Sequence, residues 1–182
     1  MAHASMNIPS IVISSDHHVT CSFNHLGLQF SGSFIYSHNG YQYRRNLWMH
    51  ICTSKPTITN PWIMMGDLNS IFNPYEKMGA SNNSISSREF KSCIDQNEMF
   101  EVNLVREKYT WYRKHLNNFV ACKIDKAFVN EASLDASGSI SCTTVSKLNS
   151  DHYPILVDLV EKDPKPSFPF RFNKAWATHP DF

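Results

Sequence analysis

The sequence lacks a strong charge of either sign. Seventeen Lys and Arg stand against sixteen Asp and Glu, a formal net charge of +1. No molecule-wide field therefore draws the chain onto nucleic acid, and any phosphate partner must be held by a local site. It also lacks paired cysteines. Cys21, Cys52, Cys93, Cys122 and Cys142 are odd in number, widely spaced and free of any CxxC pair. That argues against a disulfide framework and against a zinc site, and predicts free thiols in a reducing compartment. No apolar run reaches the ~18 residues of a membrane-spanning helix. The N-terminal stretch MAHASMNIPS has neither the basic region nor the long apolar core of a secretory signal. There is no convincing basic nuclear-localisation cluster, no internal repeat and no low-complexity tract.

What is present is an ordinary globular composition over 182 residues, 42% hydrophobic and 13% aromatic, enough for one domain with a real core. The β-rich stretches 8–15, 19–25 and 28–36, broken at Asp16–His18 and Gly27, predict two or three antiparallel strands. Residues 41–54 place Leu47, Trp48, Ile51 and Cys52 on one helical face, with Asn39 or Gly40 as cap and Pro56 as stop. The short apolar run at 61–66 reads as a buried central strand. A polar loop is expected over 70–84 and a second helix over 85–99, with Phe90, Ile94 and Met99 inward. EVNLV, YTWY and NFVACKIDKAFVN give three further strand candidates, and 139–145 and 153–160 give two more. Past Glu161 three prolines and a loss of periodicity place a boundary near Lys162. Strands dominate, so the fold class expected is α+β, with sheets packed in layers and helices outside.

Several short segments could carry chemistry. GDLN sets Asp67 and Asn69 two apart at the end of a strand, so a carboxylate and an amide would project together, one to orient water and the other to donate to a phosphate oxygen. The plainer reading is a strand-ending turn. In SDH, Asp151 could bind a hard cation and His152 could act as acid, base or phosphate contact; a polar loop before a strand is the alternative. Asp125 interrupts an apolar run, so it either finds a partner, such as a histidine whose tautomer it would fix, or sits exposed between Lys123 and Lys126. Tyr36 ends a strand and could reach phosphate, or is a rim tyrosine. Lys108, Arg113, Lys114, Lys123 and Lys126, interleaved with Tyr109, Trp111 and Tyr112, could contact a nucleic-acid strand; a solvated hairpin with one core tryptophan is the alternative. His17, His18 and His25 read as a surface turn.

The order of these segments says more than any one of them. Tyr36, then RRNLW (44–48), WIMMGDLN (62–69), Glu76–Lys77, YTW (109–111), KIDKAFVN (123–130) and SDHYPI (150–155) together resemble the endonuclease/exonuclease/phosphatase superfamily. More narrowly they look like the nuclease domain of a plant LINE-type retrotransposon polyprotein. The tail FRFNKAW…HPDF resembles the linker ahead of a reverse transcriptase.

The resemblance implies a DNase I-like two-layer β-sandwich flanked by helices. Residues 1–162 would be a partial domain, incomplete at its N-terminus, and 163–182 a linker. It implies Mg²⁺ (or Mn²⁺) as cofactor, DNA as partner, and a nuclear or cytoplasmic location. By the family pattern Asp67 orients the attacking water, and Asn69 and Tyr36 bind phosphate. Asp151 takes part in metal binding, His152 contacts the scissile phosphate, and Asp125 orients His152. Trp111, Arg113 and Lys114 are the expected substrate contacts.

Leu68 replaces the family's usual Phe, and Ile124 and Lys126 replace Leu and Arg. The larger departure is an acidic one. Before Asp67 the only acid is Asp16, and no glutamate occurs until Glu76, whereas the family carries a metal-binding glutamate on an early strand. The implied function is Mg-dependent DNA nicking, impaired by that loss. An inactive remnant with at most weak nucleic-acid binding is the alternative. A phosphodiesterase of small phosphoesters is less favoured by the tail and by YTW.

Overall fold

The computed structural model describes residues 9–25, 27–55, 60–79, 84–115, 118–147 and 149–162. The expected linker at 163–182 and the Pro56 stop lie outside the described residues.

The chain opens with three antiparallel strands, β1 (Ser10–Ser15), β2 (His18–His25) and β3 (Leu28–Tyr36). Helix α1 (Tyr41–Ser54) follows, capped at Gly40 without a side-chain bond. It returns the chain to β4 (Trp62–Asp67), which lies parallel to β3 with Tyr36 opposite Asp67. A single 3-10 turn (Pro74–Glu76), β5 (Lys77–Met78) and α2 (Ser84–Gln96) come next. The remaining elements are β6 (Met99–Glu101), β7 (Leu104–Val105), β8 (Trp111–His115), β9 (Asn118–Cys122), β10 (Asp125–Asn130), α3 (Glu131–Ala136), β11 (Ser139–Thr144) and β12 (Ile155–Val160).

Among the described residues the strands form three sheets. The largest has the order β1-β2-β3-β4-β10-β6, and the others are β12-β11-β7 and β5-β9-β8. Strand β4 explains the layering. Successive side chains of a strand point to opposite faces. Trp62 and Met64 pack with Leu47, Trp48, Ile51, Phe90 and Ile94 of the helices, while Ile63 and Met65 pack toward β11 and β12. Both faces of the central strand are covered, so its sequence is continuously apolar rather than alternating. The result is a two-layer β-sandwich with helices on one outer face, the α+β architecture expected.

Five expectations are corrected. The stretch 70–84 is not plain loop: Asn73 and Glu76 form a capping box around the 3-10 turn. Helix α2 begins at Ser84 and ends at Gln96, short of Met99, because Glu98 adopts a left-handed φ of 54° that stops it. NFVACKIDKAFVN is two strands in two different sheets, and EVNLV is likewise split between β6 and β7. His18 is not on a surface turn. It is buried, receives or gives a hydrogen bond at Ser15 Oγ (3.0 Å), and lies edge-on to His50; burial first, then His50, holds its pKa down to about 4. Helix α3 was not anticipated, since six residues are too few to show a period. Its Asn130 cap accepts the Ser133 N–H at 3.0 Å.

Candidate active site

Most of the expected site residues converge where β3 and β4 end and β10 begins. Asp67 and Asp125 face each other across the β4–β10 pairing, on the same face as Ile63, Met65, Ala127 and Val129. Gly66 makes that end possible. Its φ is 135° and a Cβ there would fall 2.0 Å from the Ile35 carbonyl oxygen. The backbone then turns at Asn69, with φ 45°.

Asp67 is buried and its carboxylate is held by Asn69 in two ways. Its Oδ1 accepts the Asn69 N–H at 2.9 Å, and its Oδ2 accepts the Asn69 side-chain amide at 3.0 Å. That amide also donates to the Ser37 carbonyl at 2.7 Å. Both amide donors of Asn69 are thus engaged. Asn69 orients Asp67 and ties β4 to the end of β3, and a phosphate could be received only by exchange of one of these bonds. Burial pushes the Asp67 carboxyl up to about 6; the Asn69 N–H opposes the shift, Asp125 and Asp151 add to it, and His152 opposes it.

Asp125 is buried, not exposed between lysines. Its two oxygens lie 3.0 and 3.3 Å from His152 Nδ1. A carboxylate accepts, so Nδ1 donates, and Nε2 is left as the ring nitrogen free toward the cleft. The backbone of Asp125 is fixed by Thr110, whose hydroxyl oxygen takes the N–H groups of Ile124 (3.1 Å) and Asp125 (3.0 Å). His152 is fixed by its own loop, through its N–H to Ser150 Oγ at 3.0 Å and a bridge to Trp111.

Asp151 is exposed and its Oδ2 accepts the Trp111 indole N–H at 2.7 Å. Trp111 therefore positions the SDH loop in addition to packing on the small cluster of Ile71, Cys122 and Ile124. Among the described residues no group of three or more His, Cys, Asp and Glu is placed to hold a metal ion. Asp151 offers one carboxylate with one oxygen already taken. Glu76 is not placed to be the metal-binding glutamate that the resemblance implies, since it is buried against Lys126 Nζ at 2.8 Å. The described residues do not by themselves make a complete divalent-cation site.

A cleft of about 690 Å³ opens over this cluster. Tyr36, Asp67, Asn69, Trp111, Arg113 and His152 line it, as do His17, Ser37, His38, Arg44 and Lys77. Tyr36 is 76% exposed, a rim residue free to meet a ligand. Lys114 alternates with Arg113 on β8 and is not among the lining residues. Lys123 and Lys126 are also lost to any ligand, because both pair with Glu101. Arg44, Ser37 and Thr110 were missed by sequence reasoning. Thr110 lay inside a quoted motif, but nothing in YTW marks its hydroxyl as an anchor for a segment fourteen residues away.

No family model and no curated protein matches the sequence. The fold does match solved structures of the DNase I-like class, among them an endonuclease/exonuclease/phosphatase family protein of Leptotrichia buccalis. One is the endonuclease domain of TRAS1, a telomere-specific non-LTR retrotransposon: 12% identity, TM-score 0.60, covering 83% of this chain and 68% of that one. The AP endonuclease LMAP of Leishmania major matches at 12% identity and TM-score 0.54, over 76% of this chain and 53% of that one. Beta toxin of Staphylococcus aureus matches at 15% and 0.57, over 79% and 57%. The chain thus spans little more than half the length of the last two. No helix among the described residues is long and apolar enough to cross a membrane.

Proposed function

We propose that this chain carries the phosphodiester-hydrolysing site of a DNA-nicking endonuclease from a LINE-type retroelement, dependent on Mg²⁺ or Mn²⁺ and impaired in the form given by these 182 residues. The observation that supports it best is the Asp67/Asp125–His152 cluster at the strand ends, beneath an open cleft, in a fold that several nucleases share.

The chemistry follows from the placed groups. Asp67, with its pKa near 6, is ionised at neutral pH yet basic enough to take a proton from water. Asp125 keeps His152 in the tautomer that points Nε2 into the cleft, where it meets a phosphate oxygen. Tyr36 and Arg113 at the rim contact the flanking backbone of the nucleic acid. A divalent cation would neutralise phosphate charge, with Asp151 as the carboxylate available to it. The shortage of further acidic groups is the physical ground for impaired activity.

Supercoiled-plasmid nicking tests this reading. The wild-type chain should nick slowly in Mg²⁺ and stop in EDTA, and an Asp67→Ala/His152→Ala double variant should be inactive. A folded wild-type chain that does not nick at all would favour the inactive-remnant reading instead.

A further inference from the structure

Away from the cleft, the helical layer holds two cysteines that the proposed reaction does not use. Cys52 lies in the last turn of α1 and Cys93 in the last turn of α2, with their sulfurs 3.5 Å apart. Asn97 Nδ2 faces both, at 3.4 Å from Cys52 Sγ and 3.6 Å from Cys93 Sγ, while it donates to the Cys93 carbonyl at 2.7 Å. Cys93 is 2% exposed and has the Trp48 carbonyl 3.6 Å from its sulfur. Cys52 is only partly buried. What solvent access the pair has therefore falls on Cys52.

We propose that Cys52 and Cys93 are a peroxide-oxidisable dithiol that closes to a disulfide clipping α1 to α2. This goes beyond the nuclease reading and does not depend on it. The surroundings favour the thiolate at Cys52: its pKa is drawn down to about 6 by the hydrogen-bonded Cys93 thiol, against burial, with Asn97 and Lys55 assisting. Thiolate character and access together select the cysteine that a peroxide attacks.

The step balances with hydrogen peroxide as oxidant. The Cys52 thiolate attacks one peroxide oxygen, the O–O bond breaks, and the other oxygen leaves as hydroxide and becomes water with the proton Cys52 had shed. Cys52 is now a sulfenic acid. Cys93 then attacks that sulfur, losing its proton, and displaces the hydroxyl as a second water. The two sulfurs together give up two electrons, and the peroxide is reduced to two waters. The sulfurs need only close from 3.5 Å to the roughly 2 Å of a disulfide.

The consequence reaches the cleft. Arg44 of α1 and Ser86 and Ser87 of α2 line it, so both helices start at its rim and the clip fixes their spacing about 12 Å further along α1. A bond across 41 residues of sequence should raise the melting temperature by roughly 5–10 °C.

The test is peroxide treatment of the reduced full chain, followed by alkylation and non-reducing peptide mapping by mass spectrometry. The expected product is a single linked peptide pair joining Cys52 to Cys93, with Cys21, Cys122 and Cys142 still alkylated. In Cys93→Ser, oxidation should stop at a sulfenic acid on Cys52 that dimedone traps. In Cys52→Ser, Cys93 should stay unreacted. Persistent alkylation of Cys52 in peroxide-treated wild type, or linkage through other cysteines, would overturn the proposal. The wild-type map decides this even if a variant fails to fold.

Discussion

At Gly66 a Cβ would sit 2.0 Å from the Ile35 carbonyl oxygen, and the residue's φ is 135°. Glycine is the one residue that tolerates both conditions, and it delivers Asp67 to the sheet end beside Asp125. Gly66→Ala should destabilise the protein by more than about 3 kcal/mol, read as a lower denaturant midpoint. Asp67 itself is held at a cost. Its folded pKa, about 6, is raised above the unfolded value of ~3.9. The native state therefore holds the proton more tightly, and the Asp67 contribution to stability is full below pH ~4 and lost as pH rises through about 6. Asp67→Asn should remove that loss. The gap in unfolding free energy between variant and wild type should open from pH ~4 to ~6 and reach on the order of 3 kcal/mol at neutral pH, while nicking disappears. At this scale the sequence was informative about identity and silent about environment. GDLN and SDH announced Asp67, Asn69, Asp151 and His152 as polar groups at strand ends, but whether Asp125 was buried or solvated depends on Thr110 and on a register that no local pattern encodes.

The elements show where local pattern suffices. Helix α1 was legible to its ends because its apolar face repeats over fourteen residues, and β4 because both its faces are buried. NFVACKIDKAFVN was not, since a chain that changes sheets keeps its apolar composition through the corner. The corner here is made by Thr110, whose hydroxyl receives two consecutive N–H groups. Thr110→Val keeps the shape and strands both donors, and should cost about 1–3 kcal/mol in chemical denaturation. It should also depress nicking by loosening Asp125. The Glu76–Lys126 pair is the other hidden constraint. Lys126 is fully buried between Glu76 at 2.8 Å and Glu101 at 3.3 Å. Glu76→Gln leaves a buried ammonium with one weaker partner, and should cost about 3–5 kcal/mol. The sequence pattern placed Lys126 among basic residues able to contact a nucleic-acid strand, because a charge's burial is set by its partners rather than by its neighbours in sequence.

For the whole molecule, the sandwich and its helical cover account for the placement of the cleft, while the borders of the large sheet are less protected. Strand β1 forms one edge of that sheet, with Ile11 68% and Val12 51% exposed. Apolar edges of this kind pair with other chains. Ile11→Lys should reduce light scattering at high concentration and leave nicking unchanged, since β1 lies outside the cleft lining. The fold class was legible because strand-rich segments were many and the motif order was distinctive.

In the proposed reaction Asp67 and His152 work on one phosphodiester as a unit, and a double-mutant cycle of plasmid nicking rates measures their coupling. If they act together, Asp67→Ala and His152→Ala should each lose most of the rate, and the double variant should be no slower than the slower single one. Losses that simply multiply, or a His152→Ala variant that nicks like wild type, would contradict the account.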